Sequence, residues 1–213
     1  MATSLLSDAP AKSESEELRM RAAVTAWGRA RWPGCRVLHE LVLGRRRIDL
    51  LFVEERDLHG IEIKSGADTL ARLDGQLEEY QRYVPEVWVA AAPKWLKDGS
   101  IPDIYANLIS IDSTGAVRQH SPRDKAKPAR DELVCSRLLE LLWYSEACAI
   151  AVRTDVIPVR VQKQIKRGHV LKMLSRLLTG NEIIAEVCRC LRERPDGFVG
   201  HRSDSPMRAE AHF

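Results

Sequence analysis

Apolar and polar positions alternate through residues 35–64 and then change to helical spacing, and that change of period lays out the chain. Ile48, Asp49, Leu50, Leu51, Phe52 and Val53 form one β-rich run, and Gly60, Ile61, Glu62, Ile63 and Lys64 form another. The charged Glu54, Glu55, Arg56 and Asp57 separate them, the pattern of a hairpin. With those four residues as the loop, Val53 pairs with Leu58 and the same register sets Asp49 opposite Glu62. Period two then gives one face to Ile48, Leu50, Phe52, Ile61 and Ile63, a pure core face, and the other to Asp49, Glu62 and Lys64.

The flanking segments read as helices and further strands. Residues 13–32 carry Ser13 as a cap, acids in the first turn and Met20, Val24 and Trp27 at helical spacing, and stop before Pro33 and Gly34. Residues 35–43 are a first strand, followed by a turn at Gly44 and Arg45. After Lys64 a second helix opens with Asp68 or Thr69 as cap. Its stripe is Leu70, Leu73, Leu77, Tyr80 and Val84, and Pro85 ends it. The continuous apolar run 87–92 predicts a strand buried on both faces, parallel to its predecessor and reached by a right-handed crossover. Residues 107–112 and 116–120 predict a short hairpin around Thr114 and Gly115.

Residues 122–131, rich in proline and charge, read as a linker. A strongly apolar helix is predicted from there to about residue 152. Helices at 168–178 and 182–194 follow, split by Thr179, Gly180 and Asn181. The expected organisation is an α/β core over 13–121 and a helical region over 132–195, with disordered tails at 1–12 and 196–213.

Composition narrows the class of protein. In 213 residues, 45% apolar and 30% charged content are those of an ordinary globular chain. A net charge of +3 and a pI near 8.6 permit nucleic acid as a partner without demanding it. No run of about 20 apolar residues is present, so no membrane partner is expected and the location expected is cytoplasmic. The five cysteines are odd in number and form no C-x-x-C pair, which predicts reduced, buried thiols.

The polar face of the hairpin carries the chemistry. Two carboxylates facing each other across a strand pair stand roughly 4.5 to 5.5 Å apart and repel unless something neutralises them. A divalent cation does so, and hard oxygen ligands suit Mg²⁺ or Mn²⁺. Lys64 on the same face reaches whatever that ion holds. Glu40, on the first strand, is a second candidate ligand or a solvated edge residue. Arg45, Arg46 and Arg47 crowd the turn beside Asp49, where forked guanidinium donors suit a phosphate backbone.

Asp49, Glu62, Ile63 and Lys64 resemble the D…E-x-K signature of the PD-(D/E)XK nuclease superfamily, although Ile48 stands where the leading proline would be. Glu62 to Ser65, Asp68 to Leu70, Arg72, Leu73, Gln76 and Tyr80 resemble more closely an E-I-K-S…D-T-L…R-L…Q…Y pattern. That pattern belongs to a family of prokaryotic nuclease-like proteins named after a myxobacterial locus. With Leu141, Leu142, Trp143, Glu146 and Ala147, the likeness covers roughly residues 15 to 195.

The resemblance implies a restriction-endonuclease-like αβββαβ core with a mixed sheet, followed by the helical appendage. It implies a Mg²⁺-dependent (or Mn²⁺-dependent) deoxyribonuclease acting in DNA repair, restriction or mobile-element defence, as a homodimer or with a partner protein. Asp49, Glu62 and the carbonyl of Ile63 would hold the ion. Glu17 is the acid the first helix would add, with Glu14 and Glu16 as rivals. Lys64 would orient the attacking water and Gln76 would approach it. The reading of another class is a catalytically silent module of the same fold that binds nucleic acid or assembles with a partner.

Overall fold

The computed structural model describes residues 9–84, 86–99, 101, 107–120, 132–158 and 165–195. Helix α1 spans Ala9–Arg31 and leads into three strands, β1 (Arg36–Leu43), β2 (Arg46–Val53) and β3 (Leu58–Lys64). Helix α2 (Leu73–Gln81) connects to β4 (Glu86–Ala91), a 3-10 segment (Pro93–Gly99) and the pair β5 (Asn107–Ile111) and β6 (Val117–His120). The order from α1 to β4 is αβββαβ. Helices α3 (Glu132–Leu138), α4 (Tyr144–Arg153), α5 (Arg167–Leu177) and α6 (Gly180–Glu193) make up the C-terminal helical region.

The six strands lie side by side in chain order. The β1–β2, β2–β3 and β5–β6 pairs are antiparallel, and β3–β4 and β4–β5 are parallel. The hairpin register is the expected one, with Val53 opposite Leu58, because Glu54 N–H donates to Asp57 O at 2.9 Å and closes the four-residue loop. The parallel β3–β4 neighbours are covered on both faces, as a crossover connection requires. All seven residues of β3 are buried, Glu62 and Lys64 included.

Two apolar layers result. Met20, Val24 and Trp32 cover Leu50, Phe52, Ile61, Ile63, Trp88, Ala90 and Ile109 on one side. On the other, α2 and the C-terminal helices pack on Leu51, Val53, Leu58, Val87 and Val89. Alternation along β4 divides cleanly between the two layers, as period two demands.

The expectation of one pure core face shared by Ile48, Leu50 and Phe52 needs correction. Ile48 lies in the α2 layer with Leu51 and Val53, and Leu41 and Leu43 lie there too, although Leu38 already faces that side. Both strands therefore change phase between Glu40 and Leu41 and between Ile48 and Leu50. Glu40 has a positive φ of 55°, and Glu40 and Asp49 are missing from an otherwise continuous ladder that runs from His39–Leu50 to Leu41–Ile48.

Other boundaries moved for local reasons. Helix α1 begins at Ala9 rather than Ser13, since Pro10 falls in the first turn, where a missing N–H costs nothing. Residues 9–12 of the expected tail are thus helical. Residues 1–8, 121–131 and 196–213, and with them the expected linker and the rest of both tails, lie outside the described residues.

Helix α2 starts at Leu73 and not beside Asp68, because the Asp68 carboxylate is taken by Ser65, which donates both N–H and Oγ–H to it at 2.7 Å. The single helix expected up to about residue 152 is three pieces. After the 3-10 turn Leu139–Leu141, Leu142 and Trp143 are extended, and the Glu146 carboxylate accepts the Trp143 N–H at 2.7 Å. The Thr179–Glu182 capping box starts α6. None of the five cysteines is in a disulfide, and four of them are buried, with Cys35 half-buried.

Candidate active site

At the C-terminal end of β3 three side chains from two elements close on one carboxylate. Glu62, on a strand pointing at α2, accepts from Lys64 Nζ at 2.7 Å and from Gln76 Nε2 at 2.6 Å, both on Oε1. Its Oε2 lies 2.9 Å from the Tyr80 hydroxyl, which is also 2.7 Å from the carbonyl of Arg47, so one proton serves two acceptors in turn. Lys64 Nζ also donates to Gln76 Oε1 at 3.0 Å. The spacing explains the convergence: Glu62 and Lys64 are two apart on one strand face, and Gln76 and Tyr80 are four apart on one helix face. Glu62 is 3% exposed and Lys64 6%, and a buried carboxylate tolerates that only with such partners. Burial, then the charge of Glu62, pushes the Tyr80 phenol well above its usual range, so it stays a donor.

Asp49 sits at the ladder gap. The β2–β3 pairing stops at Leu50–Ile61, and beyond it the Asp49 carboxylate, instead of a backbone carbonyl, takes the Ile63 N–H at 2.7 Å. Burial and then the nearby charge of Glu62 push its carboxyl up to about 7, against the opposing pull of the Ile63 N–H and Arg21. The two acids are electrostatic neighbours approached from different layers, Glu62 from α2 and Asp49 from α1, rather than side by side on one open face.

Arg21 of α1 fills the space between the remaining acids. Its Nη2 donates to Glu40 Oε1 at 2.7 Å, to Glu17 Oε1 at 3.0 Å and, at 3.3 Å, to Asp49 Oδ1, while Nη1 donates to the Asp49 carbonyl at 3.0 Å. Glu17 and Glu40, both named from the sequence, therefore join Asp49 through a guanidinium. Glu16 lies over Gly66, where an added Cβ would stand 3.1 Å from its carboxylate oxygens. The side chain of Glu14 lies outside the described residues. Ile63 reaches the site through its N–H.

The three arginines are exposed. Arg47 Nε pairs with Glu40 Oε2 at 2.6 Å, and the Arg45 N–H donates to Glu79 at 3.1 Å.

The donor set of Asp49 and Glu62 consists of hard oxygens, and an acid pushed up first by burial and then by its neighbour's charge is one that a divalent ion would relieve. The Arg21 contact with Asp49 Oδ1 is the longest of its three carboxylate contacts and the one an ion would displace. Sequence reasoning missed Arg21 and the polar role of Tyr80. The signal for Arg21 was its i,i+4 spacing from Glu17. Tyr80 was read as part of the apolar stripe, where its ring does lie, fully buried. Among the described residues the cluster that gathers three candidate metal-ligating side chains is a different one, Glu54, Asp57 and His59 at the far end of the hairpin. No helix of the described residues is long and apolar enough to cross a membrane.

Comparison with known proteins adds a family. No curated protein matches the chain. Among solved structures, a protein of unknown function from Silicibacter pomeroyi is similar at 18% identity and a TM-score of 0.40, over 66% of this chain and 92% of that one. The family model described as bacteriophage P4 protein cII matches residues 11–203. With nearly the whole sequence inside that match, the chain belongs to the bacteriophage P4 protein cII family.

Proposed function

We propose that the chain is a metal-dependent nuclease that hydrolyses DNA phosphodiester bonds at Asp49, Glu62, Lys64 and Gln76. The observation that carries this reading is the crowding of two carboxylates at the end of β3, with one held up to about 7 by burial and by the other. Burial is the larger cause of that rise and the charge of Glu62 the second, and a cation held between the two carboxylates would oppose both. A Mg²⁺ or Mn²⁺ ion held by Asp49 and Glu62 would polarise the phosphate and make a bound water more acidic.

The chain's own groups do the rest. Lys64, fixed by Glu62 and Gln76, presents an ammonium to charge that develops on the phosphoryl oxygens. Gln76 and the protonated Tyr80 hold Glu62 in one orientation. The exposed Arg45, Arg46 and Arg47 hold the backbone by charge and forked donors, without reading sequence.

A second reading is favoured by Arg21, whose guanidinium already bridges Glu17, Glu40 and Asp49. It is a silent module that keeps the fold and binds DNA or a partner. Labelled single-stranded, duplex and branched DNA incubated with Mg²⁺ or Mn²⁺ separates the two. A nuclease shortens at least one substrate, and Lys64→Ala and Asp49→Ala abolish the shortening. Retardation without shortening, identical in wild type and Lys64→Ala, establishes the silent module.

A further inference from the structure

Helix α1 and strand β1 leave a groove of about 410 Å³ between them. β1 is the first strand of the sheet, so no further strand closes the groove on that side. His39 pairs with Leu50, which packs in the α1 layer, and ladder partners share a face, so the imidazole lines the groove from β1. Leu18, Ala22, Ala26 and Arg29 line it from α1, at the spacing of one helix flank. Arg21 lines it too and donates to Asp49 Oδ1, so the groove is continuous with the candidate site.

The charge of this lining has one sign. Two arginines line the groove and, among the described residues, no carboxylate does; Glu17, Glu40 and Asp49 meet Arg21 without lining it. Arg29 is exposed, and neither its side chain nor that of His39 makes a hydrogen bond or ion pair among the described residues. Such a guanidinium offers forked donors to a phosphate, and an imidazole offers an N–H in either charge state. The rest of the wall is apolar: Leu18 is 67% exposed, and Ala22 and Ala26 add exposed methyl groups. An anion for Arg29 and His39 joined to a carbon-rich body for Leu18, Ala22 and Ala26 describes a nucleotide. The volume is that of a small-ligand site, so one strand enters it and a duplex does not. Arg29 lies about 12 Å along the helix axis from Arg21, so the phosphate it takes is a neighbour of the scissile one.

We propose that this groove binds a single strand of DNA beside the scissile phosphate, with a backbone phosphate held by Arg29 and His39 and the sugar and base against Leu18, Ala22 and Ala26. The inference rests on the reading of the chain as one that acts on DNA, and adds the path that one strand takes away from the site.

Fluorescence anisotropy tests this, with a labelled single-stranded oligonucleotide and a blunt duplex of the same length titrated with the full chain in chelator, where nothing is cut. Arg29→Ala should weaken the single strand about tenfold and lower the slope of log affinity against log salt by about 0.7, leaving any duplex binding as in wild type. Ala26→Glu should weaken the single strand and Ala26→Lys strengthen it, and both keep a good helix former at an exposed position. Arg176→Ala, which removes an exposed arginine of α5, should bind as wild type. In ¹⁵N spectra the strand should shift the side-chain resonances of His39 and leave those of the exposed His169. Equal effects of Arg29→Ala and Arg176→Ala, Ala26→Glu binding as wild type, or equal losses for strand and duplex overturn the proposal. So does a dimer that Ala26→Glu dissolves in ultracentrifugation while oligonucleotide binding is untouched, which gives the groove to a second copy. Each of these failures leaves the cleavage assay with Lys64→Ala to be judged by itself, and a strand held through Arg29 but never shortened supports the groove while removing the nuclease.

Discussion

At the scale of single residues, Asp49 concentrates the electrostatics of the fold. In the unfolded chain its carboxyl titrates near 3.8, and in the folded protein near 7, so the folded state binds the proton more tightly. Folding stability is then fully present below the lower value and is lost as pH rises through the upper one. With chelator present, wild type should lose melting temperature between about pH 4 and 7. Asp49→Asn should flatten that slope, and Mn²⁺ at pH 7.5 should raise the melting temperature of wild type but not of the variant. Thermal melts across a pH series check this, and parallel slopes for the two proteins would refute it. Glu62, Lys64 and Gln76 were legible because strand and helix periods place them together, whereas Asp49, expected on the same face, comes from the α1 side where its strand leaves the ladder. Arg21 was not legible, because its partners come from α1, β1 and β2 and meet only once the sheet has changed phase at Glu40. No residue preference announces a glutamate at positive φ.

At the scale of elements, the close approach of α1 to the sheet depends on Gly28. A Cβ there would stand 2.3 Å from Cε1 and Cζ of Phe52, whose ring is fully buried and has no room to withdraw. Alanine improves helix propensity by about 1 kcal/mol, while overpacking a filled core costs about 1–3 kcal/mol. The clash wins, and Gly28→Ala should lower stability in a denaturant titration. Adding Phe52→Leu should recover part of the loss, and a more stable Gly28→Ala would remove the argument.

Element types were readable wherever loop chemistry and period agreed, as at the Glu54–Asp57 turn and along β4. They failed in the run Leu138–Trp143, since its leucines around Glu140 continue a helical pattern and carry no glycine or proline to show that Leu142 and Trp143 are extended. Asp68 misled in a different way. It is a capping residue, but it caps the turn after β3 rather than the helix.

At the scale of the molecule, the C-terminal helices are not an ornament on a finished core. Leu138, Ile150, Val170, Leu174, Ile184, Val187 and Leu191 belong to the same buried cluster as Leu51, Val53, Leu77 and Val87. The buried Arg194 fastens their end, donating to the Leu141 carbonyl at 2.6 Å and to both oxygens of Glu146. A chain ending at His120 exposes the α2-side face of the sheet to water. It should lose cooperative unfolding and elute as aggregate, checked by size-exclusion chromatography and calorimetry. A monomeric, cooperatively melting fragment would show that the first 120 residues suffice.

The Arg21 guanidinium among Glu17, Glu40 and Asp49 bears on the order of events in the life of the protein. A cluster of acids that carries its own cation can complete its fold before any solute ion arrives. If the site takes an ion as proposed, that ion and the Arg21 guanidinium compete for the same carboxylates, one positive charge against another.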